Sequence, residues 1–198
     1  SIDATRNILA IWKLASPQEK VEGARWYLDA ARDAETIAIN HDVPFVTVVG
    51  VIAALSPNNK WSRNVENAAT LVAAFMNGDD IESFKVSCYG AMKRKAWSLM
   101  VDMIDDKADI LARLNGRKIM NFARCIWGDA ESVCIDGHAR NIGYGERVGL
   151  TDSRTNIGVR EYAGLTESYV VAAEIAGVPG YVMQAVTWTV WRRLHGIT

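Results

Sequence analysis

At 198 residues the chain has room for one sizeable core or two small lobes, and its 49% hydrophobic and 23% charged residues are too apolar for a disordered chain. A net charge of −1 excludes a molecule drawn as a whole to phosphate backbones, so any nucleic-acid contact must be local. Three cysteines without a Cys-x-x-Cys pair argue against a disulfide framework, an iron-sulfur cluster or a cysteine-rich metal site; with no signal pattern and no apolar run of roughly 18 residues, they place the expected home in a reducing cytoplasm.

In chain order, Ile8, Ile11 and Trp12 form a short amphipathic stripe. Ser16-Pro17-Gln18-Glu19 then supplies an N-cap, a first-turn proline and a capping-box glutamate for a long helix to about Ile39. Pro44 opens "FVTVVGVIAAL", whose length and Ala-Ala ending favour a buried helix over a buried strand. Pro57 breaks the pattern, a helix resumes over 60–77, and Asn77-Gly78 stops it. Further helices are expected at about 90–104, 107–114, 117–127, 137–143, 159–176 and 180–195, with Gly177 and Pro179 punctuating the last pair and "SVCI" an isolated extended segment. No alternating strand series or internal repeat is present, so the expected class is all-α.

Chemistry concentrates between residues 114 and 138. A helix starting at Arg117 directs free N–H groups and its positive dipole end at whatever lies beside Gly116, which suits an anion, and Lys118 stands at that end. Asp136 follows Val133-Cys134-Ile135 and precedes the helix-like "GHARNIGYG", making it a natural N-cap. A carboxylate held at a helix start among apolar residues is positioned for acid-base or ion-stabilising work. His138 alone is a weak metal signal, so no metal site is expected.

Leu114-Asn115-Gly116-Arg117-Lys118, a helix to Trp127-Gly128-Asp129, and then Cys134-Ile135-Asp136-Gly137-His138-Ala139 resemble the helix-hairpin-helix (HhH-GPD) DNA glycosylases, in particular the endonuclease III branch. That branch carries Leu-Pro-Gly-Val-Gly-Arg-Lys, a helix, a Gly-containing turn and Val-Asp-Thr-His-Val. Lys118 and Asp136 stand eighteen residues apart, as in the family. Ala54-Leu55-Ser56-Pro57-Asn58 and Tyr89 with Lys95-Ala96 look like two further family segments, so the resemblance spans about 45–150. The hairpin here is two residues shorter and lacks Gly-x-Gly, and the branch's iron-sulfur cysteines are absent.

The resemblance implies a two-lobed helical glycosylase-like fold: a lobe over 45–125 with the hairpin-like segment 114–118, and a second lobe from 1–44 and 126–198. It implies DNA as partner, no cofactor, Lys118 as an amine nucleophile on the sugar C1′ and Asp136 as the carboxylate that activates it and stabilises the cationic sugar. Asn58 falls where the family keeps a polar residue near a flipped base, with Asn59, Trp61, Arg117, His138 and Lys95 as further DNA or substrate contacts. A second resemblance, carried by "AALSPNNKWSRN", "CIDGHA" and "QAVTWTVWRR", is to small bacteriophage proteins. It implies a kinase or transferase on hydroxymethyluracil-type bases as the alternative activity, and a non-catalytic nucleic-acid-binding module is the third.

Two other surfaces stand out. Lys93-Arg94-Lys95, near Tyr89 and Trp97, could track a nucleic-acid backbone. On the last helix Gln184, Trp188 and Trp191 share a face, and Arg192 or Arg193 is placed to reach Asp136 or a phosphate.

Overall fold

The computed structural model of the protein describes residues 3–197, and among them it is all-α: ten α-helices, two short 3-10 helices and no strand. The helices are α1 (Thr5–Trp12), α2 (Pro17–His41), α3 (Phe45–Leu55), α4 (Trp61–Met76), α5 (Gly90–Val101), α6 (Lys107–Leu114), α7 (Arg117–Ile126), α8 (Gly137–Tyr144), α9 (Val159–Ala176) and α10 (Gly180–His195).

Local chemistry accounts for most boundaries. At the start of α2 the capping box closes in both directions, Glu19 N–H donating to Ser16 Oγ at 3.1 Å and Ser16 N–H to the Glu19 carboxylate at 3.0 Å. Arg193 grips the same carboxylate through two contacts at 3.0 Å and holds it below the usual glutamate range. α5 ends at Val101, three residues before the expected point, because Met103 adopts φ 44° and folds the backbone back so that Ile104 N–H donates to Leu99 O.

The chain divides into two compact units, Ser1–Leu28 with Gly128–Thr198, and Asp29–Trp127. The boundary falls inside α2, not at the expected residue 44, and Asp33 in the later half of that helix accepts a hydrogen bond from Trp61 Nε1 within the second unit.

In the Asp29–Trp127 unit α3 is the hub, buried from Thr47 to Leu55 and packed on α4, α5, α6 and α7. A helix enclosed on all sides needs an apolar surface all round, which is why its sequence shows no polar face. Gly50 permits the closest approach, since a Cβ there would stand 2.9 Å from Ile110 and 3.0 Å from Leu99. In the other unit α1, α8, α9 and α10 enclose a core including Ile8, Ile135, Ile142, Leu165, Tyr169, Met183 and Trp191. Gly177, at φ 72°, ends α9, and α10 leaves at 95° to it.

Candidate functional site

Residues 132–136 lie in neither helix nor strand, so their backbone groups need partners from elsewhere. Val133 and Ile135 anchor the segment by burying their side chains in the core. Tyr162 of α9 then satisfies the backbone between them: its hydroxyl donates to Val133 O at 2.7 Å and accepts from Ile135 N–H at 3.0 Å. Asp136 follows this clamped segment in extended conformation and caps α8, its Oδ1 accepting from Ala139 N–H at 2.8 Å. Its Oδ2 has no hydrogen-bond partner among the described residues, and the side chain is half-buried. One carboxylate oxygen is thus tied to the helix and the other is open.

Beneath the first turn, the hydroxyl of fully buried Tyr169 donates to Ala139 O at 2.8 Å. Burial pushes that phenol well above its ordinary range, and the negative charge of Asp136 pushes it further, so it stays a donor. Above the turn, the loop after α8 lies against Gly137: a Cβ there would meet Leu150 Cδ2 at 2.6 Å. Asn141 Nδ2 donates to Val148 O at 3.0 Å, and the buried Arg140 pairs with Glu146 at 3.1 Å, which holds the loop in that position. His138, on the same first turn, meets Trp188 of α10 edge-on, ring centres 6.4 Å apart. The Arg192 guanidinium lies 4.4 Å from that indole. Arg193 instead binds Glu19 and Leu14 O, which removes it as a group directed at Asp136.

The remaining expected residues belong to the Asp29–Trp127 unit. α7 begins at Arg117 behind Gly116, which supplies no side-chain cap, and Arg117 and Lys118 are exposed. The turn before them is fixed by Asn115, left-handed at φ 48°, and by Lys95, whose ammonium donates to Leu114 O at 2.6 Å. Lys93 is taken up likewise, by Phe84 O and the Phe84 ring, so of the basic triplet only Arg94 is exposed. Asn58, at φ 54°, is exposed at the turn after α3, where Asn59 Nδ2 closes the helix by donating to Leu55 O at 3.2 Å. Trp61 packs edge-on against Phe122 of α7, ring centres 6.1 Å apart, which brings the 58–61 turn to the helix that carries Lys118.

Within their own units, then, Asp136 and His138 share one helix start, and Asn58, Asn59, Trp61, Lys95, Arg117 and Lys118 gather around α7 and the turns beside it. Tyr162, Tyr169 and Arg140 were not legible as site residues. Tyr162 and Tyr169 sit on one face of α9 at helical spacing, a pattern that marks them as core, while the backbone atoms they hold come from the 133–139 segment.

Among the described residues no group of three or more His, Cys, Asp or Glu side chains could hold a metal ion, and no single helix is long and apolar enough to cross a membrane. Comparison with curated proteins and with solved structures finds no match. The family comparison does: residues 2–195 match the pattern of DUF7178, a family of unknown function, and the chain belongs to it.

Proposed function

We propose that the protein is a DNA base-processing enzyme of glycosylase type on an HhH-GPD-like helical fold, cleaving the N-glycosidic bond of a possibly modified base. The observation that carries the reading is the open Oδ2 of Asp136, on a carboxylate whose other oxygen caps α8 and whose preceding segment is clamped by Tyr162. A carboxylate so fixed stabilises the positive charge that develops on the sugar as the base leaves with the bonding electron pair. In the hydrolytic form a water adds to C1′ and gives its proton to Asp136. In the lyase form the Lys118 amine adds to C1′ instead and loses a proton, and the resulting glycosylamine opens to a Schiff base as the C1′–O4′ bond breaks and O4′ takes up a proton.

The test is mass spectrometry of the free bases and nucleosides left after DNA containing thymine, uracil, hydroxymethyluracil or hydroxymethylcytosine is incubated with the wild type and with Asp136→Asn. Free base from the wild type, reduced by about 10²-fold or more in the variant, is expected. A mass added to an intact nucleoside overturns the reading in favour of a transferase or kinase, and no change with any substrate removes the enzymatic assignment. Borohydride trapping of a protein–DNA adduct that disappears in Lys118→Ala separates the lyase form from the hydrolytic one.

A further inference from the structure

One side of α2 turns apolar residues to solvent. Val21, Leu28 and Ile39 are 56%, 56% and 72% exposed, and the 18 residues from the first to the last make about five turns, so the three stand in one line. Arg25, Arg32 and Glu35 are exposed between them, and the six positions follow one another at intervals of 4, 3, 4, 3 and 4 residues. They belong to one uninterrupted helix, Pro17–His41, and lie within about 80° of its circumference. Tyr27, Ala30, Ala34 and Ile37 take the opposite side and are buried. Valine and isoleucine are β-branched and poorer helix formers than alanine, glutamate or lysine, so at solvent-facing positions neither packing within the chain nor propensity favours them.

The order of the six has a property that a solvated face does not need. Alternating intervals of 3 and 4 mark the seam along which two helices pack knobs into holes, and in an antiparallel pair each seam residue meets the one at the mirrored place. Reversed about Ala30, the seam would meet its own copy as Val21 against Ile39, Arg25 against Glu35 and Leu28 against Arg32, each layer occurring twice. The end layers are apolar on both sides, and the next bring opposite charges together. At the centre the aliphatic stem of Arg32 covers Leu28 while its head stays beside Asp29, 3.8 Å away on its own helix. A parallel pairing sets Arg25 on Arg25, Arg32 on Arg32 and Glu35 on Glu35, and gains none of this. Neither Arg25 nor Glu35 makes an ion pair among the described residues, and the net charge of −1 leaves little overall repulsion between two copies.

We infer that the outward face of α2 is a self-association surface on which a second copy of this chain docks antiparallel, forming a dimer with two-fold symmetry. A two-fold interface requires reciprocity, residue i meeting j and j meeting i, and the mirrored order of charge and apolarity along the seam supplies it. A contact confined to one helix from each copy belongs to the small class of interfaces, under about 1,200 Å² in total, so the dimer is reversible. The surface is independent of the proposed function.

Sedimentation equilibrium of the full chain at low salt, over about 5–500 μM, reads the monomer–dimer equilibrium expected of an interface this size. Leu28→Arg, which sets a second cation against Arg32 in both central layers, is expected to weaken the dimer about tenfold or more. Arg25→Glu and Glu35→Arg each turn two attractive layers into two repulsive ones, and each is expected to weaken it roughly tenfold. The double variant Arg25→Glu/Glu35→Arg, and an equimolar mixture of the two single variants, bring opposite charges together again and are expected to return to within about threefold of the wild type. Ile175→Lys, at a 65% exposed apolar position on α9, is expected to leave the equilibrium unchanged. Circular dichroism confirms that each variant is folded. A chain that stays monomeric over the whole range, a Leu28→Arg variant that dimerises as the wild type does, or an equal loss in Ile175→Lys overturns the surface. A double variant no better than either single one overturns the antiparallel pairing.

Discussion

Where α8 begins, a carboxylate closes the helix, a tyrosine from α9 holds the segment before it, and a second tyrosine holds the first turn. Where α7 begins, a glycine takes the cap position, and the exposed Arg117 and Lys118 follow a turn fixed by Asn115 and Lys95. The first is over-determined by contacts distant in sequence. At the second, the turn is fixed by Asn115 and by one lysine reaching from α5. Rigid placement is what a reacting group needs, so under the proposed function the α8 start is the better-prepared of the two.

The contrast can be broken at its strongest point first. Tyr162→Phe removes the partner of two buried backbone groups, and a loss of about 2–4 kcal/mol in urea unfolding is expected. A loss below about 1 kcal/mol would mean that the α8 start does not depend on α9. Lys95→Met strips Leu114 O of a charged donor and is expected to cost about 1.5 kcal/mol, with faster amide exchange confined to the α6–α7 turn. Protection lost equally across α8 would show that the two starts are not independent.

The reciprocal cap exchange has the smallest expected effects. Asp136→Ala is expected to cost about 1 kcal/mol while Asp136→Asn, a cap of equal quality, stays within a few tenths. Gly116→Ser is expected to gain only a few tenths, because a Cβ there comes within 3.0 Å of Ile119 and that side chain must give way. Thermal melts of the three variants read the difference directly.

Much of the fold was legible because its signals are local. Ser16 with Glu19, Asn77-Gly78, Asp136 and Gly177 each announce a helix end through the hydrogen bond or backbone conformation they favour. The end of α5 was not legible, because methionine gives no local reason for positive φ. The split of α2 was hidden for a related reason: a helix continuous in sequence carries no mark where its contacts pass from one set of partners to another. At the candidate site Asp136, as cap, could be read from its neighbours, whereas Tyr162 and Tyr169, whose partners lie 27 to 30 residues away, could not.

The unit that carries Asp136 is assembled from both ends of the described chain, with the whole Asp29–Trp127 unit between them. During synthesis α1 and the first turns of α2 therefore leave the ribosome with apolar faces whose partners, α9 and α10, do not yet exist. At ordinary elongation rates that wait lasts roughly 8–33 s, and the Asp29–Trp127 unit acquires all its own residues before it ends. Ile8 and Tyr27 spend the interval without the core that buries them, so their apolar surface stays exposed until α9 and α10 are made. A transcript cut short after Trp127 would yield one complete unit with a permanently orphaned leader, a product suited to proteolysis rather than to function.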